Sequence, residues 1–402
     1  MAQGFDPAAA TAAYLSALTP EQHLKAQHYT QGGHWLLLWG CLVGVVVAWI
    51  VLRSGVLVKV REAIERSRPK PWLVVAAIVV VDALFEYVLS LPWGVYVGWW
   101  REKQYGLTSQ PFAGWFIEHN ISLVVGIVTT LILFSLLYWI IRRAPKTWWA
   151  WSAGLVVVAF MTLMLLQPLL IEPLFNNYKP APPGPVRDEV VAMAKQVGVP
   201  SDKIYIYNGS KQSNRYTANV AGLLGTARVA MSDTMFKKDA DIAEVRGVVG
   251  HEMGHYVRGH ILIFALLYGL MALIVLFVAD RTFPRVAALL GAKGVTGIAD
   301  PAGLPVLAVI FAVLGLIATP ATNSVSRIAE SDADHFSLEH FNEPDGLSKA
   351  LVKTVEYRAA TPSRLEEIIF YDHPAVGNRV RRAMDWKATH PKPEAPAKPS
   401  AS

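Results

Sequence analysis

The amino-acid sequence predicts an α-helical multi-pass membrane protein carrying a soluble α+β part that the last transmembrane helices split in two. Three observations predict it. Hydrophobic residues make up 53% of the 402-residue chain and charged residues only 17%, with a positive mean hydropathy, more apolar surface than a soluble core needs. Six stretches, 35–52, 72–91, 122–141, 149–170, 261–279 and 304–318, are long and apolar enough to cross a bilayer. About 20 helical residues at 1.5 Å each cover a hydrocarbon core of about 30 Å. Between the fourth and fifth stretch, 173–260 mixes strand-like alternation with amphipathic helical spacing.

Taken in order, the amino-terminal segment 1–33 has Lys25 as its single basic residue and no apolar core, so it does not read as a cleaved signal. The first span is expected to do the targeting. A four-span membrane region, 34–172, follows. Trp35, Trp72, Trp93, Trp148 and Trp149, with Arg142 and Arg143, trim its span edges as expected at headgroup depth. The proline-rich run 178–185 reads as a stiff exit linker into the soluble part 173–260. There, 186–197 has helical spacing, and 203–207 and 228–231 read as strands. The run 241–260 reads as one helix, opened by a capping box of Asp241 and Glu244. Two further spans fill 261–320, a second soluble stretch 321–386 follows, and the Pro, Ala and Lys rich tail 387–402 is expected to be disordered. The lone Cys41 lies inside the first span, which excludes an intrachain disulfide and a cysteine metal site. A net charge of +6, placed mostly in loops beside spans, suits anionic lipid and not nucleic acid.

Chemistry concentrates in His251-Glu252-Met253-Gly254-His255. Residues four apart share a helix face, so both imidazoles can reach one zinc ion at about 2.0–2.1 Å. Glu252 projects beside that ion, placed to take a proton from bound water. A catalytic zinc needs a third protein ligand. The helical run 326–334 offers Glu330, with Asp334 one turn later on the same face. Glu330 can complete the set and Asp334 can fix a ligand tautomer, or both can belong to a solvated acidic face.

The pairing of His251-Glu-Met-Gly-His255 with Ser326-Arg-x-x-Glu330-x-x-Ala-Asp334 resembles the M48 metallopeptidases, and within them the Ste24 type, the CaaX prenyl proteases, more than the shorter HtpX type. The likeness extends to Leu91-Pro92-Trp93, to Glu102-Lys-Gln-Tyr-Gly106 with Thr108, to Glu172-Pro-Leu-Phe-Asn176, and to Gly209-Ser-Lys211, Gly222, Arg228 and Asp233-Thr234. His373-Pro374 with Arg379 completes it, so it covers 91–386. The resemblance implies a gluzincin-like zinc peptidase fold, with His251, His255 and Glu330 on one zinc, Glu252 as base and Asp334 as a second acid, sometimes assigned as a proton donor. It implies a peptide or membrane-protein end as substrate, with a prenylated CaaX tail possible, and a site on the cytosolic side of a bacterial inner membrane or an endoplasmic-reticulum-like one. Two departures stand out. Eukaryotic members usually show seven spans against six here, and the family's Asn-Ala pair falls on Thr217-Ala218, so that Thr217 binds substrate backbone less well or Asn219 substitutes for the missing amide.

Other residues carry open readings. His373 and Arg379 can steady a tetrahedral oxyanion, or be a loop histidine and a structural ion pair. Asp82 and Glu86 sit one turn apart in the second span and must face protein or water, since an ionised group facing lipid costs about 2.5–3.5 kcal/mol or more. They line a wet intramembrane chamber, as the resemblance implies, or a transporter's proton path. His260 is expected to cap or pack at the membrane surface. Loops 53–70 and 142–146 hold more Lys and Arg than 92–118, which by itself puts the site outside the cytoplasm, against the resemblance. The rival functions are a proton-coupled transporter and a quality-control binding protein rigidified by zinc.

Overall fold

In the computed structural model, which describes residues 4–68, 70–222, 227–237 and 240–391, a short helix α1 (Pro7–Ser16) precedes α2 (Pro20–Ser54). The Thr19 hydroxyl accepts the Gln22 N–H and the Gln22 side chain accepts the Thr19 N–H, while Pro20 sits where no donor is needed. The 35 residues of α2 exceed what a bilayer needs, so its first turns rise out of the apolar zone. An amphipathic α3 (Val56–Ser67) leads to three long helices, α4 (Pro71–Gln104), α5 (Phe112–Arg143) and α6 (Trp148–Phe175). With α2 and two later helices, these make six among the described residues that are long and apolar enough to span. Val124, Ile132, Val158, Leu266 and Ile317 point outward along them, which in a bilayer is their buried state.

Tyr178–Pro180, inside the run read as a linker, forms β1. Then come α7 (Pro185–Val197), β2 (Ile204–Tyr207), β3 (Ala218–Ala221) and β4 (Arg228–Ser232). The sheet order is β1-β2-β4-β3, with β2 and β4 parallel and the outer pairs antiparallel, so β3 is an edge strand. Helix α8 (Ile242–Val257) packs on this sheet around Val190, Met193, Val229, Met231, Val249 and Met253.

The run expected as one helix, 241–260, divides. It ends at Val257, Gly259 turns the chain at φ 66°, and His260 opens α9 (His260–Leu290). Asp241 does cap α8, through the Ala243 N–H, but Glu244 does not close a box; it is buried and bound by Lys353. After a loop, α10 (Leu304–Phe341) carries the sixth span and the acidic run as one helix through Pro320. Three shorter helices close the fold: α11 (Pro344–Lys353), α12 (Arg364–Phe370) and α13 (Val376–Thr389). Of the tail 387–402, read as disordered, residues 387–389 are the last turn of α13, and 392–402 lies outside the described residues.

Bundle and soluble part are joined by polar contacts. Arg228 binds Glu172 at 2.6 Å and stacks on Tyr178, Lys211 binds Glu118 at 2.9 Å, and the Ser109 hydroxyl donates to the Ser210 carbonyl. At the opposite end, Arg61 of α3 pairs with Asp300 just before α10.

Candidate active site

The site begins with a face of α8 that has no side chains. Gly247, Gly250 and Gly254 lie along it. A methyl on Gly250 would come within 2.6 Å of Phe341 and Ser337, and one on Gly254 within 3.0 Å of the Ala333 backbone. Gly247 lets α8 approach the backbone of Gly346 and Leu347 in α11, and Gly250 and Gly254 let it lie almost backbone to backbone on α10. That approach brings His251 and His255 of α8 onto Glu330 of α10.

The result is a close cluster of ligand-type atoms, two imidazole nitrogens and the two oxygens of one carboxylate. His251 Nε2 lies 3.1 Å from Glu330 Oε2, His255 Nε2 lies 3.3 Å from Glu330 Oε1, and the two Nε2 atoms are 3.2 Å apart. Three ligands at about 2.0–2.1 Å from a tetrahedral ion stand about 3.3 Å from one another. The buried Glu330 Oε2 has imidazole nitrogens close by, His251 Nε2 at 3.1 Å and His373 Nε2 at 3.3 Å, the surroundings of a metal-ligating oxygen. These residues fit a zinc ion, and among the described residues they are the one such His/Cys/Asp/Glu group found.

Each imidazole leans on a support through its other nitrogen. His251 Nδ1 is 2.9 Å from Asp334 Oδ1, and Arg379 holds both Asp334 oxygens, with Nε and Nη2 each at 2.7 Å. His255 Nδ1 is 2.9 Å from His260 Nδ1, whose Nε2 is 3.1 Å from Asp332 Oδ2. His373 Nε2 approaches Glu330 Oε2 at 3.3 Å, and its Nδ1 lies 2.9 Å from Asp372.

Glu252 faces a cavity of about 780 Å³ that also takes in His251, His373 and Arg379, with Thr217 and Ala218 at the β3 edge and Lys25 of α2 on another wall. Burial raises the Glu252 carboxyl above its ordinary value, while the charges of His251 and His255 draw it back. Such a group can both take a proton and hold it.

All seven residues singled out in the sequence thus converge: His251, Glu252, His255, Glu330, Asp334, His373 and Arg379. Arg379 lies nearest the structural ion-pair reading, its Nε and Nη2 both donating to Asp334. His260, expected to cap or pack at the membrane surface, is the buried first residue of α9 and packs against a ligand-type histidine, while Asp332 was not foreseen at all. The available signal was a third imidazole and a third carboxylate inside the two motif segments. Asp82 is buried within the bundle, as its cost in lipid requires.

A multi-pass helical bundle with two histidines four apart on one helix and a carboxylate supplied by another is the make-up of a membrane metallopeptidase. Residues 180–392 match peptidase family M48 and residues 8–177 match the CAAX prenyl protease N-terminal region, described as five membrane helices, so the chain belongs to peptidase family M48. It is a membrane zinc metalloprotease resembling the CAAX prenyl proteases, and the transporter and binding-protein readings are not favoured. Over the region 8–177 it has α2 to α6, four of them long enough to span.

An uncharacterized metalloprotease of Bacillus subtilis (strain 168) is 29% identical over 92% of this chain and 87% of its own length. The CAAX prenyl protease 1 homolog of Taenia solium is 26% identical over 76% of this chain and 70% of its own. The crystal structure of S. mikatae Ste24p shares the fold, with a TM-score of 0.73 at 18% identity, covering 92% of this chain and 90% of that one.

Proposed function

We infer that the protein hydrolyses peptide bonds with one zinc ion held by His251 Nε2, His255 Nε2 and Glu330, and with Glu252 as the general base. The convergence of both Nε2 atoms on the Glu330 carboxylate, at 3.1 and 3.3 Å and 3.2 Å from each other, is the observation that carries this reading. A zinc ion bound there supplies a Lewis acid and a water acidified to a pKa of about 7. Glu252 accepts the water's proton, holds it with the help of its burial, and delivers it to the departing amine. Asp334, fixed by Arg379, keeps the His251 proton on Nδ1 and its lone pair on Nε2. A carboxylate locked by two guanidinium N–H groups is a poor proton donor, so Asp334 orients and does not deliver. His373, on the cavity wall, is placed to offer an N–H where the carbonyl oxygen gains charge.

The edge strand β3 offers unpaired backbone groups beside the cavity, so an extended peptide can add to it, with Thr217 at the lining. Membrane embedding and likeness to proteins named CAAX prenyl proteases support substrates that are membrane-associated peptide ends, prenylated tails included. The family also supports a site on the cytosolic face.

The test uses detergent-purified protein with one peptide in prenylated and unprenylated forms. Cleavage is expected, with a lower KM for the prenylated form, and Glu252→Gln should keep its zinc while losing about 10²–10⁴-fold in kcat. Zinc-loaded wild type that cuts neither peptide would overturn the reading.

A further inference from the structure

His255 turns Nε2 towards Glu330 and His251, and Nδ1 towards His260 Nδ1 at 2.9 Å. Two imidazole nitrogens at that distance need one donor and one acceptor. A ligand imidazole keeps its lone pair on the metal side, so the His255 proton sits at Nδ1, and His260 must accept there. The proton of neutral His260 is then at Nε2, where Asp332 Oδ2, which can only accept as a carboxylate, lies 3.1 Å away. One arrangement of protons satisfies every contact, and it is the one that leaves His255 Nε2 free to bind a metal. Proton positions here follow from the network.

The placement adds a second argument. His260 is the first residue of α9 and is 3% exposed, while Asp332 lies on α10 beside Glu330. The two spans therefore meet at this contact, and the third ligand's helix also carries the support of the second ligand. His251 has a carboxylate directly on its Nδ1; His255 reaches one through an intervening ring.

We propose that His260, anchored by Asp332, is the positioning residue of His255: it accepts the Nδ1–H, fixes the ring's tautomer and rotation, and sets Nε2 on the zinc. The proposal rests on the metal reading above. Its test is the zinc Kd of the detergent-purified full chain, by competition with a chromophoric chelator, with the visible spectrum of the cobalt-substituted protein and the thermal unfolding of the metal-free protein alongside.

His260→Ala should weaken zinc about 10–100-fold, as loss of an outer partner does. His260→Gln, whose amide oxygen can accept the same proton, should recover most of that loss. Asp332→Ala, at a half-exposed side chain that leaves folding intact, should weaken zinc by a smaller factor and shift the cobalt bands. His260→Gln as weak as His260→Ala, with affinity tracking thermal stability, would reduce His260 to a packing residue and overturn the proposal. Unchanged Kd in both His260→Ala and Asp332→Ala would overturn it too, while wild type that binds no zinc would overturn the metal reading beneath it.

Discussion

Glu330, Asp334 and Arg379 surround His251 with charge, and that sets how the site responds to pH. In the metal-free protein burial works against a charged His251 ring, but hydrogen bonds and charges from Asp334 and Glu330 outweigh it and raise its pKa to about 10. The raised value means that this network stabilises the metal-free fold fully below about pH 6.5 and loses that contribution as pH rises through about 10. A cation must displace the same proton. Zinc affinity should therefore fall about tenfold per pH unit between about pH 8 and 6, measured by chelator competition; a flat profile would contradict the proton's place on His251. Arg379→Ala would leave the buried Asp334 carboxylate with His251 alone as its partner, so it should destabilise the protein by about 1–3 kcal/mol in a denaturant titration. A loss well under 1 kcal/mol would show that the pair is solvated. At this scale the sequence was legible where spacing alone is informative: His251 with His255, and Glu330 with Asp334, each four apart on a helix. His373 and Arg379 were visible only through family likeness, because no local pattern brings a loop and α13 to the metal.

Helix α8 works because one face is bare. Gly250→Ala adds a methyl 2.6 Å from Phe341 and Ser337, and should cost about 1–3 kcal/mol while weakening zinc binding, since α8 must lift from α10. Gly346→Ala is more severe, its Cβ falling 1.9 Å from the Ala243 carbonyl oxygen, where backbone cannot yield as a side chain can. Thermal unfolding of both variants checks the ranking; a Gly346→Ala protein as stable as wild type would contradict the close packing. The glycine spacing was present in the sequence, but which face meets α10 is a tertiary fact. The same limit explains other elements. Strand β1 has 3 residues and ends on Pro180 of a proline-rich run, and β3 is built on Ala218, Asn219 and Ala221, residue types depleted in strands, so neither carries the signal that β2 does. The division at Gly259 was hidden because glycine is permissive anywhere. Hydropathy reported the change of environment along α10, not the backbone, which stays helical from the apolar stretch through Glu330.

Across the whole molecule, the ligand set is a statement about topology. His251 and His255 precede α9 and Glu330 follows the apolar part of α10, so the chain must leave the site, turn at the far face and return. The turn is located there by Arg61 on Asp300 and by Gly291 against Arg53. A cysteine label in the loop 291–299 should react from the side opposite one at Lys237; reaction from the same side would break the out-and-back path. The six spans were legible because bilayer thickness imposes a length on any apolar helix. Membrane sidedness was not, since the Lys and Arg of loops 53–70 and 142–146 argue against the family's orientation. The most direct test of the account is the zinc content of purified Glu330→Ala after dialysis, read beside wild type. About one zinc per wild-type chain and almost none in the variant, with cleavage lost in parallel, is the expected result, because two imidazoles alone chelate weakly. A Glu330→Ala protein that keeps full zinc occupancy would contradict the three-ligand centre on which the mechanism depends.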